Sequence, residues 1–216
     1  MDDIQLALDG DLKSLGFKKF GRTYNRSHEN GIVQVINLQM GMPQPAIAGL
    51  PPEAAYLRPD LYGQFTVNIG VFVAEIAPPA LARKSSRYVQ EPRCSLRARL
   101  GNLMESERRD ILWRLDTPTS AIVEDVKEAL FRYGIPFLTR FATRSAIITG
   151  WIAFNERELR LSQRPRLDVA IMLDAAGDKG GAVDLLRQHL SLPSLNPHHS
   201  AYVRELAQEL GLGELE

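Results

Sequence analysis

Four apolar positions, Ile4, Leu8, Leu12 and Leu15, recur at helical spacing and predict an amphipathic helix at the start of the chain. Gly16 followed by Phe17 reads as its stop, the glycine turning the chain and the phenylalanine returning to the apolar face. Gly10 costs about 1 kcal/mol relative to alanine, so this helix relies on packing. Beyond it the period falls to two. Residues 22–28 and 32–40 flank Glu29-Asn30-Gly31, and Asn-Gly between strand-like runs predicts a hairpin. A third strand is expected over 65–73. A fourth, over 94–100, alternates with Cys94, Leu96, Ala98 and Leu100 on one face and Ser95, Arg97 and Arg99 on the other. That alternation predicts antiparallel pairing with one buried and one wet face.

Two long connections interrupt the strands. Residues 41–62 carry Pro43, Pro45, Pro51, Pro52 and Pro59, and residues 75–93 carry Pro78, Pro79 and Pro92. Proline lacks the N–H that a ladder needs, so neither forms a central element. From Thr117 the pattern turns helical. Thr117 is expected to cap and Pro118 to take the first helical position. Ile122, Val126, Ala129, Leu130 and Tyr133 then form one apolar face, closed by Gly134 and Pro136. Further helices are expected over 143–156, 168–176, 181–190 and 197–210, with Gly177-Asp178-Lys179-Gly180 as a turn and Asn196-Pro197 as a cap. The Ala/Leu-rich pair resembles one tetratricopeptide-like hairpin without a second copy at a fixed period. The expected fold is α+β: an antiparallel sheet of four to five strands, an N-terminal helix and a helical C-terminal part. Residues 1–140 form the sheet domain and 141–216 a helical extension packed on it.

Several stretches carry a family resemblance. Leu15-Gly16-Phe17-Lys18-Lys19, Val35-Ile36-Asn37-Leu38-Gln39, Phe65-Thr66-Val67-Asn68-Ile69-Gly70-Val71 and Cys94-Ser95-Leu96-Arg97-Ala98-Arg99-Leu100-Gly101, with Trp113 soon after, resemble the bacterial domain-of-unknown-function 4304 family. The resemblance covers about the first 140 residues, more loosely the closing helices. Where that family favours paired tryptophans after an acid, this chain reads Asp110-Ile111-Leu112-Trp113. The resemblance supports the fold and implies no activity and no cofactor.

Composition narrows the function classes. Lys plus Arg and Asp plus Glu are 26 each, which removes a global electrostatic case for nucleic acid or membrane. The single cysteine, Cys94, excludes an intrachain disulfide. Met1-Asp2-Asp3-Ile4 lacks the basic start of a secretory signal, and the apolar run 146–154 is about half a membrane span. A cytoplasmic setting is expected. No phosphate loop, nucleophile elbow, His-Glu-x-x-His or Cys-x-x-Cys is present. Cys94, in phase with Leu96 and Leu100, is expected to be a buried, inert thiol. His198 and His199 are expected at an exposed helix start, adjacent helix positions diverging too far to share an ion easily; His28 and His189 complete the set. Asp116, Glu124 and Asp125 read as helix-start acids.

Two constellations remain. Asn is depleted in strands, so Asn37, Gln39 and Asn68, with Arg97 and Arg99, suggest a surface of amide and guanidinium groups for an anionic or amide-bearing ligand. The plain alternative is that they pair across the ladder or with acids. The second is the stretch 83–109, in which Arg83, Lys84, Arg87, Arg93, Arg97, Arg99, Arg108 and Arg109 face Glu91, Glu105 and Glu107. It suits an acidic protein surface or phosphate, with Tyr88 as a stacking ring, or is an ordinary solvated face. No nucleic-acid-binding motif accompanies it, so nucleic acid ranks last. The leading expectation is a non-catalytic interaction module for an acidic protein partner or small anionic ligand. The alternative is an enzyme in which Arg97 and Arg99 stabilise an anionic transition state and Asp60 or Glu53 is the base.

Overall fold

The structure is a computed structural model and describes residues 1–29, 31–42, 61–77, 88–104, 110–155, 165–193 and 195–215. Helix α1, Asp2–Ser14, ends as its sequence predicts. Gly16 sits at φ +85°, its N–H donates to the Lys13 carbonyl and the Phe17 N–H donates to the Leu12 carbonyl. This crossed pair satisfies carbonyls that the helix end leaves open. Six antiparallel strands follow among the described residues: β1 (Lys18–Phe20), β2 (Thr23–Ser27), β3 (Ile32–Met40), β4 (Gln64–Val73), β5 (Leu96–Arg99) and β6 (Trp113–Arg114). The order is β1-β2-β3-β4-β5, with β6 pairing the start of β4. The short strands β1 and β6 escape the sequence pattern because two or three residues show no period.

One face of the sheet presents Tyr24, Ile36, Leu38, Phe65, Val67, Ile69, Val71, Leu96 and Ala98 to the main core. Ile4, Leu8 and Leu12 of α1 pack there, as do the helices that follow: α2 (Leu100–Leu103), α3 (Thr119–Ala129), α4 (Ile135–Arg140), α5 (Arg144–Phe154) and α6 (Pro165–Ala175). Gln34 is fully buried on this face and donates through Nε2 to the Leu138 carbonyl at 2.5 Å, while its Oε1 accepts from Arg26 Nε at 2.8 Å. A second, smaller core holds α6 to α7 (Lys179–Leu190) and α8 (Pro197–Glu209) through Leu167, Ala170, Ala182, Leu186, Val203 and Leu206. Asp178 and Asn196 cap α7 and α8, accepting from the Gly181 and His198 N–H groups.

Three local expectations are corrected. Pro118, with extended backbone, is the N-cap of α3, one residue later than the Thr117 cap expected, and the helix starts at Thr119. Gly134 and Pro136 do not stop the helix. Residues 130–134 form one wide π turn that runs directly into α4. A wide turn relieves the clash between a proline ring and the carbonyl four residues before it. Gly134 is there for space, because a Cβ would lie 2.9 Å from Leu130 and 3.2 Å from Leu100. Finally, Cys94 is buried but lies off β5, on the opposite face from Leu96. There it packs with Val35, Phe72 and Val89 in a third, small cluster. Burial pushes its thiol well above the ordinary range, in keeping with an inert group.

Candidate functional site

Strand register decides which side chains share the second face. Thr23 pairs with Asn37, Asn37 with Asn68, and Asn68 with Arg99, one row across four strands. The row beside it runs Asn25, Val35, Gly70 and Arg97, and Gln39 lies opposite Thr66. Asn37, Gln39, Asn68, Arg97 and Arg99 therefore stand on one face. Asn37 donates to the Thr23 hydroxyl at 2.8 Å, and Asn68 donates to Gln39 Oε1 at 2.6 Å.

This face is not wholly wet, as alternation alone implied. Thr23, Asn25, Thr66 and Asn68 are buried, and β4 is buried from Phe65 to Val73. Residues 88–95 lie across its Gly70 end as a strap. Asn25 holds the strap as a strand would, donating to the Val89 carbonyl at 3.0 Å and accepting from the Val89 N–H at 2.7 Å. The Tyr88 ring packs at a tilt against Phe20, centroids 5.1 Å apart.

Both arginines face acids. Arg97 is bidentate to Glu91, at 2.7 and 3.1 Å, and Arg99 pairs with Asp110. Hydrogen bonding to Glu91 outweighs burial and raises the Arg97 pKa. The two pairs are unequal. Glu91 is 4% exposed, whereas Asp110 is open to solvent. Arg97→Ala is therefore expected to destabilise the fold by about 1–3 kcal/mol, the desolvation cost of a buried group left without its partner. The figure stays below that for a fully buried pair because Arg97 itself is half exposed. Arg99→Ala is expected to cost under about 0.5 kcal/mol. Urea melts of both variants check this, and equal small losses would mean that Glu91 finds solvent once Arg97 is gone.

Of the basic stretch, Arg93 is half buried in the short 3-10 turn Glu91–Arg93. Arg83, Lys84, Arg87, Arg108 and Arg109 lie outside the described residues, as do Glu53 and Asp60. Asp125 accepts from the Trp113 indole at 2.6 Å, and Asp116 pairs with Arg114. No group of three metal-ligating side chains occurs among the described residues, and no helix among them is long and apolar enough to cross a membrane.

Sequence reading missed one close pair. His198 is exposed as expected, but His199 Nε2 lies 2.9 Å from Nε2 of His189, which is fully buried. Nδ1 of His189 has no hydrogen-bond partner among the described residues. One of the two rings donates across this contact, and because an orphaned acceptor is less costly than an orphaned N–H, the lone Nδ1 favours the tautomer with the His189 proton on Nε2. Burial first, then His199 and Arg166, lower the His189 pKa. A lowered folded pKa makes stability full above the unfolded value near 6.5 and progressively lost as pH falls below it. Thermal melts should accordingly show a drop on acidification that shrinks in His189→Gln; an undiminished drop would place the acid sensitivity elsewhere. The two histidines are ten residues apart on different helices, a separation no local pattern reveals.

No curated protein and no solved structure matches the chain. The motifs at 15–19 and 35–39 lie outside the one family match, while those at 65–71 and 94–101, Asn68, Arg97, Arg99 and Trp113 lie inside it. Residues 57–140 match the model of the family described as Domain of unknown function (DUF4304), the family to which the strand motifs point.

Proposed function

We propose that the chain is a non-catalytic binding module that meets a protein partner with Asn37, Gln39, Arg97 and Arg99, the buried Asn68 holding Gln39 in place beneath them. The observation that carries this reading is the register that sets these residues on one face. Each arginine stands beside a carboxylate, so the face alternates in sign and offers amides between the charges. A polar protein surface with acids of its own, seated by hydrogen bonds at fixed spacing, matches such a face better than a small anion, which Glu91 and Asp110 would repel. A cytoplasmic setting belongs to the proposal, because one buried cysteine cannot form an intrachain disulfide.

The test uses Gln39→Ala combined with Arg99→Ala, both exposed positions whose loss leaves no buried charge. Wild type and variant are compared in affinity capture from lysate at low and moderate salt, with matched thermal melts. A protein retained by wild type at both salts and lost by the variant supports the face. Equal retention by the two proteins sinks it, and nucleic acid released by moderate salt would indicate non-specific charge instead.

A further inference from the structure

The helical side carries a second feature, independent of the sheet face. Where the end of α2, the π turn, α4 and the end of α5 meet, an open cleft of about 190 Å³ has an apolar floor of Leu103, Tyr133, Phe137 and Phe154. Arg132 and Arg140 stand on its rim with Pro136 between them. Each guanidinium is seated on a ring. Arg140 lies 4.8 Å from the Phe154 centroid and 5.5 Å from that of Phe141, and Arg132 lies 5.4 Å from that of Tyr133. A guanidinium held over a ring by its charge still has N–H donors to offer a carboxylate. Arg140 has no carboxylate partner among the described residues. Among the same residues Arg132 has Glu128, 3.5 Å away, with both side chains about two-thirds exposed.

The dimensions select an occupant. Arg132 and Arg140 are eight positions apart, roughly 12 Å along the axis at the α-helical rise and somewhat less with the π turn at the start of the stretch. Acids four residues apart on an extended chain are separated by about 13 Å. The volume lies below the roughly 300–1,000 Å³ of sites that enclose a drug-sized ligand, and suits a single side chain. We propose that the cleft docks an extended acidic peptide segment, with one aromatic or aliphatic side chain on the Phe137–Phe154 floor and an acid two residues to either side, at Arg132 and Arg140.

Fluorescence anisotropy with the full chain and a labelled Glu-Ser-Phe-Ser-Glu peptide tests this. Saturable binding is expected, weakened about tenfold or more when the peptide's phenylalanine becomes serine, from loss of one buried ring. Arg132→Glu with Arg140→Glu should weaken it at least tenfold, from loss of two charge-assisted contacts. Arg140→Gln alone gives the same comparison should the double reversal not fold. The Gln39→Ala, Arg99→Ala variant should bind the peptide as wild type does, which separates this site from the sheet face. Absence of saturable binding, equal affinity for the serine peptide, or indifference to the loss of arginine charge would each overturn the proposal.

Discussion

A chain ending at Arg140 is expected to lose cooperative unfolding, although it retains every strand of the sheet. The reason lies in the main core, which does not stop at the sheet domain's apparent end. Phe141, Ile147, Trp151, Val169 and Met172 are buried members of the same cluster as Ile36, Val67 and Leu138. Burying each contributes about 1.5–3 kcal/mol, so removing five forfeits an amount comparable to the whole stability of a domain, about 5–15 kcal/mol. The rings interlock across the cut: Phe137 lies 5.3 Å from Phe141 and 5.5 Å from Phe154. Arg144 binds Glu29 and Glu75, which tie α5 to the turns at the ends of β2 and β4. Urea denaturation of the 1–140 fragment, followed by near-ultraviolet circular dichroism and dye binding, is the check. Expanded, dye-binding chains without a sharp transition are expected. A fragment that melts sharply would show that the helices are an appendage to a self-sufficient sheet.

Gly70→Ala is expected to cost about 1–3 kcal/mol, the range for forcing extra atoms into a packed site. β4 passes beneath the strap at this residue. A Cβ on Gly70 would lie 2.6 Å from Cys94 Sγ and 2.7 Å from Cys94 Cβ, well inside the roughly 3.5–4.0 Å of ordinary contact. Neither neighbour is the far end of a long side chain, so the strap itself must lift. Lifting loosens Val89 from Asn25 and moves Glu91, the partner of Arg97. Two readouts follow. The melting temperature should fall, and Cys94, buried and protonated in the native chain, should react with a thiol reagent at a measurable rate. Combining Gly70→Ala with Cys94→Gly should recover part of the loss, a coupling expected of two residues in contact. A variant that melts like wild type with an unreactive thiol would mean that the strap has slack at this crossing.

Much of the architecture was legible in the residues themselves. The stop of α1 at Gly16 and Phe17, the hairpin that joins β2 to β3, the cap at Asn196 and the alternation that sets Leu96 and Ala98 against Arg97 and Arg99 are local effects. Each is written within four or five neighbouring positions, where backbone geometry and capping chemistry act. The polar residues of the candidate face were legible as types, since asparagine in a strand asks for a reason. Their meeting was not, because register joins Thr23, Asn37, Asn68 and Arg99 across 76 intervening steps of chain. Tertiary packing also chose the side of Cys94, the passage of the helix through Gly134 and Pro136, the pairing of His189 with His199, and the carboxylate set before each arginine. In every one of these cases the deciding partner is brought in by the fold. A side chain's burial and charge then depend on what arrives opposite it, which no local period records.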